Sequence, residues 1–204
     1  ASADLDGDGF SDLVIGAPHS KYSSSQGKQN GAVYVIYGPI DPSTRPLDLA
    51  LADLGKISNA TVLKSRDEED WLGTSVATGD FNGDGIADLA VGSPLADGPN
   101  NDTPWQGEVL IFFGGEALRA ARNIETASAD LIIYGWDTFD RIGISLAAGD
   151  ITGNDQSELI IGSPFGDRDR GGTSDRIYVI RDSQLRSGVR TLSVRDALLL
   201  EKLD

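Results

Sequence analysis

DLDGDGFSDLVIGAP, residues 4–18, places Asp4, Asp6, Asp8 and Asp12 within nine positions and then runs straight into β-branched residues ending at Gly16-Ala17-Pro18. The pattern returns as GDFNGDGIADLAVGSP at 79–94 and, in worn form, as GDITGNDQSELIIGSP at 149–164. The likeness extends beyond the acidic loop. Upstream, WLGTSVATGD (71–80) parallels RIGISLAAGD (141–150); downstream, GAVYVIYG (31–38), GEVLIFFG (107–114) and DRIYVIRD (175–182) align. One supersecondary unit is therefore repeated along the chain, and that has to be recognised before any single element is assigned.

Within the second unit, β-branched and aromatic runs between turn residues predict strands over 73–78, 88–91, 108–113 and 130–134. LADGPNNDTPWQG (95–107) reads as a polar surface loop, and EALRAARN (116–123) as a helical turn. Four short strands per Gly-punctuated unit indicate an all-β protein built as a β-propeller, whose blades of four antiparallel strands protect their edges by radial packing. The units are expected at about 1–58, 59–127 and 128–195, with 196–204 starting the next, in one partial propeller domain over 1–204. Three blades cannot close a ring, since propellers need at least four. The chain starts at Ala1 and contains no Met, so an excerpt of a longer protein is expected.

The repeats resemble the FG-GAP family, the blades of the integrin alpha-subunit head. Leu72-Gly73 and Ile142-Gly143 stand for the first element of the signature; Gly16-Ala17-Pro18, Gly92-Ser93-Pro94 and Gly162-Ser163-Pro164 stand for the second. The resemblance implies a larger, seven-bladed propeller whose remaining blades come from the same or another chain. It also implies an extracellular, secreted or cell-surface adhesion or binding module, without catalytic activity, for a protein or glycan ligand. The alternative is an accessory propeller of a secreted hydrolase of the glycosylphosphatidylinositol-specific phospholipase D kind.

Two carboxylates 4 Å apart repel by roughly 4 kcal/mol at an effective dielectric of 20, so four in one tight loop call for a counter-charge. Oxygen donors without Cys or His select a hard ion, and Ca²⁺ takes six to eight oxygens in forgiving geometry. Loop positions 1, 3, 5 and 9, with the carbonyl of position 7, give Asp4, Asp6, Asp8, Phe10 and Asp12 as the first ligand set. Asp80, Asn82, Asp84, Ile86 and Asp88 form the second. The third, Asp150, Thr152, Asn154, Gln156 and Glu158, keeps two carboxylates and has Asp155 where the others have Gly9 and Gly85, so weak or lost binding is expected. An EF-hand is excluded, because Ile15, Val91 and Ile161 occupy its position 12 and strand follows. The expected role of the ion is to staple a hairpin in a chain with no Cys.

A formal net charge of −15 opposes nucleic acid and anionic lipid, and no apolar run is long enough to insert in a membrane. Catalytic signals are weak. His19 is the only histidine, Ser23–Ser25 lack a nucleophile elbow, and the acid pairs Glu68/Asp70 and Asp137/Asp140 read as loop residues. The glycosylation patterns at Asn59 and Asn101, the charged loop 167–172, and a sugar-stacking role for Trp71, Trp105 and Trp136 are secondary candidates.

Overall fold

A computed structural model describes residues 1–21, 29–40, 59–65, 67–121, 123–165, 176–185 and 191–194. The Ser23–Ser25 and 167–172 candidates, and the unit starting at 196, lie outside the described residues.

The first sheet runs β1 (Ser2–Ala3), β2 (Asp12–Ala17), β3 (Ala32–Ile36), β4 (Ala60–Lys64), each antiparallel to the next. The second runs β5 (Ser75–Gly79), β6 (Asp88–Ser93), β7 (Glu108–Phe112) and, after α1 (Glu116–Ala120) and β8 (Asn123–Glu125), β9 (Leu131–Tyr134). In the third, β10 (Ser145–Gly149), β11 (Glu158–Ser163) and β12 (Arg176–Ile180) repeat the antiparallel order. These are the blades expected from the repeats, and among the described residues they do not close into a ring. β4, which follows residue 58, completes the first sheet, and β9, at the strand expected over 130–134, completes the second.

A four-stranded antiparallel blade is an incomplete description. β8 pairs in parallel with β4 of the preceding blade, and β13 (Thr191–Ser193), which follows α2 (Asp182–Leu185), pairs in parallel with β9. Each outer strand thus receives a fifth strand from the next unit, which covers a hydrogen-bonding edge that would otherwise recruit another chain.

Blades stack face to face because side chains alternate along each strand. On β7, Leu110 and Phe112 join Leu5, Val33, Val35 and Leu63 of the first blade, while Val109 and Ile111 join Leu159, Ile161, Tyr178 and Ile180 of the third. A middle blade buried on both faces explains why VLIFF has no polar alternation.

The signature residues sit where neighbouring blades touch. Gly73 has φ 86°, the left-handed region that favours glycine, and a Cβ on Gly92 would overlap the carbonyl oxygen of Gly143 in the next blade. Ser93 Oγ donates to the Asp70 carbonyl at 3.0 Å, and Ser163 Oγ to the Asp140 carbonyl at 2.8 Å. The serine of each GSP turn therefore ties it to the loop preceding its own blade.

Candidate metal centre

All three acidic loops lie at one end of the blades, between the first and second strands of each. Asp4 organises the first: its Oδ1 accepts from the N–H of Gly7 at 2.8 Å and of Asp8 at 3.1 Å, and its Oδ2 from Gly9 at 2.9 Å. Asp80 does the same for Gly83 at 2.6 Å and Gly85 at 2.9 Å, and Asp150 for Gly153 at 2.6 Å and Asp155 at 2.9 Å. At Asp150, desolvation acts upward, but the N–H donors of Asp155, Asn154, Gly153 and Thr152 together hold the carboxyl below its ordinary range. Asp155 takes φ 63° in place of the glycine of the other loops, so the worn loop keeps the same turn at the cost of strain.

Asp4, Asp6 and Asp8 come together, with one carboxylate oxygen from each within 4.8 Å of the other two. Asp12 stands apart from that group and is buried. Its Oδ2 accepts from Leu5 N–H at 2.7 Å, and its Oδ1 from Gly38 N–H at 2.8 Å, just past the last residue of β3. Burial pushes the Asp12 carboxyl up, while the Gly38 and Leu5 donors pull it back. Asp88 accepts from Phe81 N–H at 2.8 Å and Gly114 N–H at 2.9 Å, and burial pushes it up to about 6. Glu158 accepts from Ile151 N–H at 2.9 Å. The ninth position is therefore a clamp at the loop base in every copy. A carboxylate has about four lone-pair sites, so this use leaves capacity on each oxygen.

In the second loop Asn82 Nδ2 donates to Asp84 Oδ2 at 2.9 Å, and Asp84 Oδ1 accepts from Ile86 N–H at 2.8 Å. In the third, Thr152 Oγ1 donates to Glu158 Oε1 at 3.1 Å, and Asn154 Oδ1 accepts from Gln156 N–H at 3.1 Å. Phe10, whose carbonyl is the first loop's main-chain candidate, is 52% exposed. The loops are chained to one another: Ala87 N–H donates to Asp4 O at 3.2 Å, and Ser157 N–H to Asp80 O at 2.9 Å.

One contributor has no signal in the motif. Arg119 of α1 reaches Asp6 at 2.5 Å and Asp8 at 3.5 Å, although it lies more than a hundred residues away along the chain. Only the folded stacking of blades reveals it.

The secondary candidates are placed elsewhere. His19 Nδ1 meets Gln29 Oε1 at 2.9 Å, and its ring stands edge-on to Trp71 at 5.0 Å. Asn59 has its amide engaged, Nδ2 donating to the Tyr37 carbonyl at 2.6 Å, which disfavours it as a glycosylation acceptor in the folded chain. Asp140 caps its own loop, accepting from Trp136 N–H at 2.7 Å and Asp137 N–H at 2.9 Å. At the opposite end of the blades, burial and the charges of Asp70, Asp67 and Asp97 push Glu108 up to about 8. The three tryptophans have separate partners: Trp105 packs edge-on to Phe139 at 5.3 Å, and Trp136 lies under Arg176 at 5.5 Å.

The FG-GAP repeat family matches residues 1–36, 72–112 and 142–180. The phosphatidylinositol-glycan-specific phospholipase D of Rattus norvegicus is 38% identical over 165 residues, 81% of this chain and 18% of that protein. The Homo sapiens protein of the same name is 36% identical over 80% of this chain and 18% of its own length. Integrin alpha-PS2 of Drosophila melanogaster is 31% identical over 89% of this chain and 12% of its own length. The chain thus spans less than a fifth of these relatives. These findings correct the expectation of a protein that is not an enzyme, because several relatives carry the name of one over four-fifths of the chain. The chain's own motifs carry no catalytic signature because a segment covering 18% of such a relative need not contain the residues of its chemistry.

Proposed function

We propose, on the premise that this chain belongs to the FG-GAP repeat family, that it forms blades of the accessory propeller of a secreted, extracellular hydrolase of the phosphatidylinositol-glycan-specific phospholipase D type, and that calcium stabilises those blades. The observation that carries the first part is 38% identity over 81% of the chain. The second part is supported by three carboxylates within 4.8 Å in a loop with no nitrogen or sulfur donor, a set that fits a hard oxygen-seeking cation. Asp4, Asp6, Asp8 and Asp12, with the Phe10 carbonyl, would hold one ion. Asp80, Asn82, Asp84 and Asp88, with the Ile86 carbonyl, would hold another. The third loop, with amide and hydroxyl side chains in place of carboxylates, would bind weakly or not at all. Bound calcium would neutralise the loop and tie β2 to its neighbour, and by mass action would stabilise the folded state.

A second reading, an adhesion or ligand-binding module for a protein or glycan, is favoured by 32% identity to integrin alpha-IIb of Mus musculus over 97% of this chain. In both readings further blades complete the propeller.

The test uses the intact protein. Hydrolysis of a phosphatidylinositol-glycan substrate is expected, and its absence in preparations that melt cooperatively would favour the second reading. Calcium is expected to raise Tm over chelator by several degrees. Asp84→Asn should cut part of that rise while leaving the chelator Tm within about 1 °C. Equal losses in both conditions would count against a cation at the second loop.

A further inference from the structure

Arg119 belongs to α1 of the second blade, yet among the described residues every polar partner of its guanidinium lies in the first. Nη1 donates to Asp6 Oδ2 at 2.5 Å and to Asp8 Oδ2 at 3.5 Å; Nη2 donates to Asn59 Oδ1 at 3.1 Å. The guanidinium carbon lies 5.4 Å from the centroid of the Tyr37 ring. Asn59 is itself fixed by its bond to the Tyr37 carbonyl. The Asp6 side chain is covered, at 1% exposed, whereas that of Arg119 remains 41% exposed. Two of the three carboxylates grouped in the first loop are thus engaged by a planar cation that does not lose its proton in proteins.

We propose that Arg119 is the first loop's tethered counter-cation. It neutralises Asp6 and Asp8 when divalent ions are scarce, and it competes with calcium for the same pair, making the first loop a weaker calcium site than its carboxylates alone would give. The inference rests on the calcium reading above. Like charges drawn to one small group of oxygens repel, and each retains the carboxylates at the other's expense. Arg119 also anchors α1 to the first blade, and α1 leads directly into β8, which lies beside β4. Calcium entry at the first loop therefore relaxes one of the bonds joining the two blades. Calcium concentration is thereby coupled to the contact between them.

The experiment is hydrogen exchange on the intact protein, following the peptide that spans residues 4–12 as free calcium is raised, so that this loop reports its own midpoint. Arg119→Gln keeps a hydrogen-bonding side chain and removes the charge. It is expected to shift the midpoint to about tenfold lower calcium. In chelator, a double-mutant cycle of Arg119→Gln with Asp6→Asn, read by melting, is expected to show favourable coupling between the two residues. An unchanged or higher calcium midpoint in Arg119→Gln overturns the competition, and an absent coupling in chelator overturns the counter-cation role. If neither protein responds to calcium while the chelator coupling persists, the calcium reading of the loop fails and competition falls with it.

Discussion

Glu108 opens β7 at the end of the blades away from the acidic loops, among Asp70, Asp67 and Asp97. Burial and those charges raise it from 4.5 to about 8, so the native state holds a proton that the unfolded chain gives up near pH 4.5. Its contribution to stability is therefore full below about 4.5 and is lost as pH rises through 8. Asp70, raised to about 7, works in the same direction. Melting of Glu108→Gln against the parent should show little difference at pH 5 and an advantage of about 2–4 °C at pH 8.5. A variant that is less stable at pH 8.5 would mean that the charged carboxylate has a favourable partner. The same distinction between charge and placement governs the loops. Asp12 and Asp88 fit a ligand spacing in the sequence, yet they also clamp Gly38 and Gly114, because a short acidic side chain facing a row of N–H groups satisfies main-chain donors whether or not a cation is near.

Among the elements, β8 depends most on distant parts of the chain. Its three residues pair in parallel with Val62, Leu63 and Lys64, and Ile124 is buried in the core shared by the first two blades. Ile124→Pro removes a main-chain donor and the side chain together. Its effect should fall on the blade that receives the strand: hydrogen exchange at 60–64 should quicken at least tenfold, while 131–134, in the blade that follows β8 along the chain, should change far less. Uniform loss over both blades would contradict that assignment. The long strands were legible from sequence, because VLIFF and DLAVGS combine β-branched residues with flanking glycine; the helical turn at 116–120 was legible from EALRA. NIE and TLS were not, since three residues are too few to show a period and their pairing is decided by a strand of the previous unit. Arg119 was hidden for the same reason. The acidic loops could be located from spacing alone, but which carboxylates cluster and which serve as clamps depended on the main chain around them.

For the molecule as a whole, the two described inter-blade interfaces set a rule that the third blade leaves open. Val109 and Ile111 on β7 are fully buried against the third blade, while Ile177 and Val179 at the matching places on β12 are 75% and 40% exposed. This face is suited to another blade. In the intact protein, Ile177→Asp should lower Tm by several degrees, as expected for a charge forced into an apolar contact; a change under 1 °C would show that nothing packs there. The parallel strands add an order in time. A ribosome releases the residues of β4 well before those of β8, and the residues of β9 well before those of β13. Each rim therefore stays unsealed until its successor has emerged, so a pause in translation between units would leave a newly made sheet edge open to aggregation at the moment its own four strands were already paired.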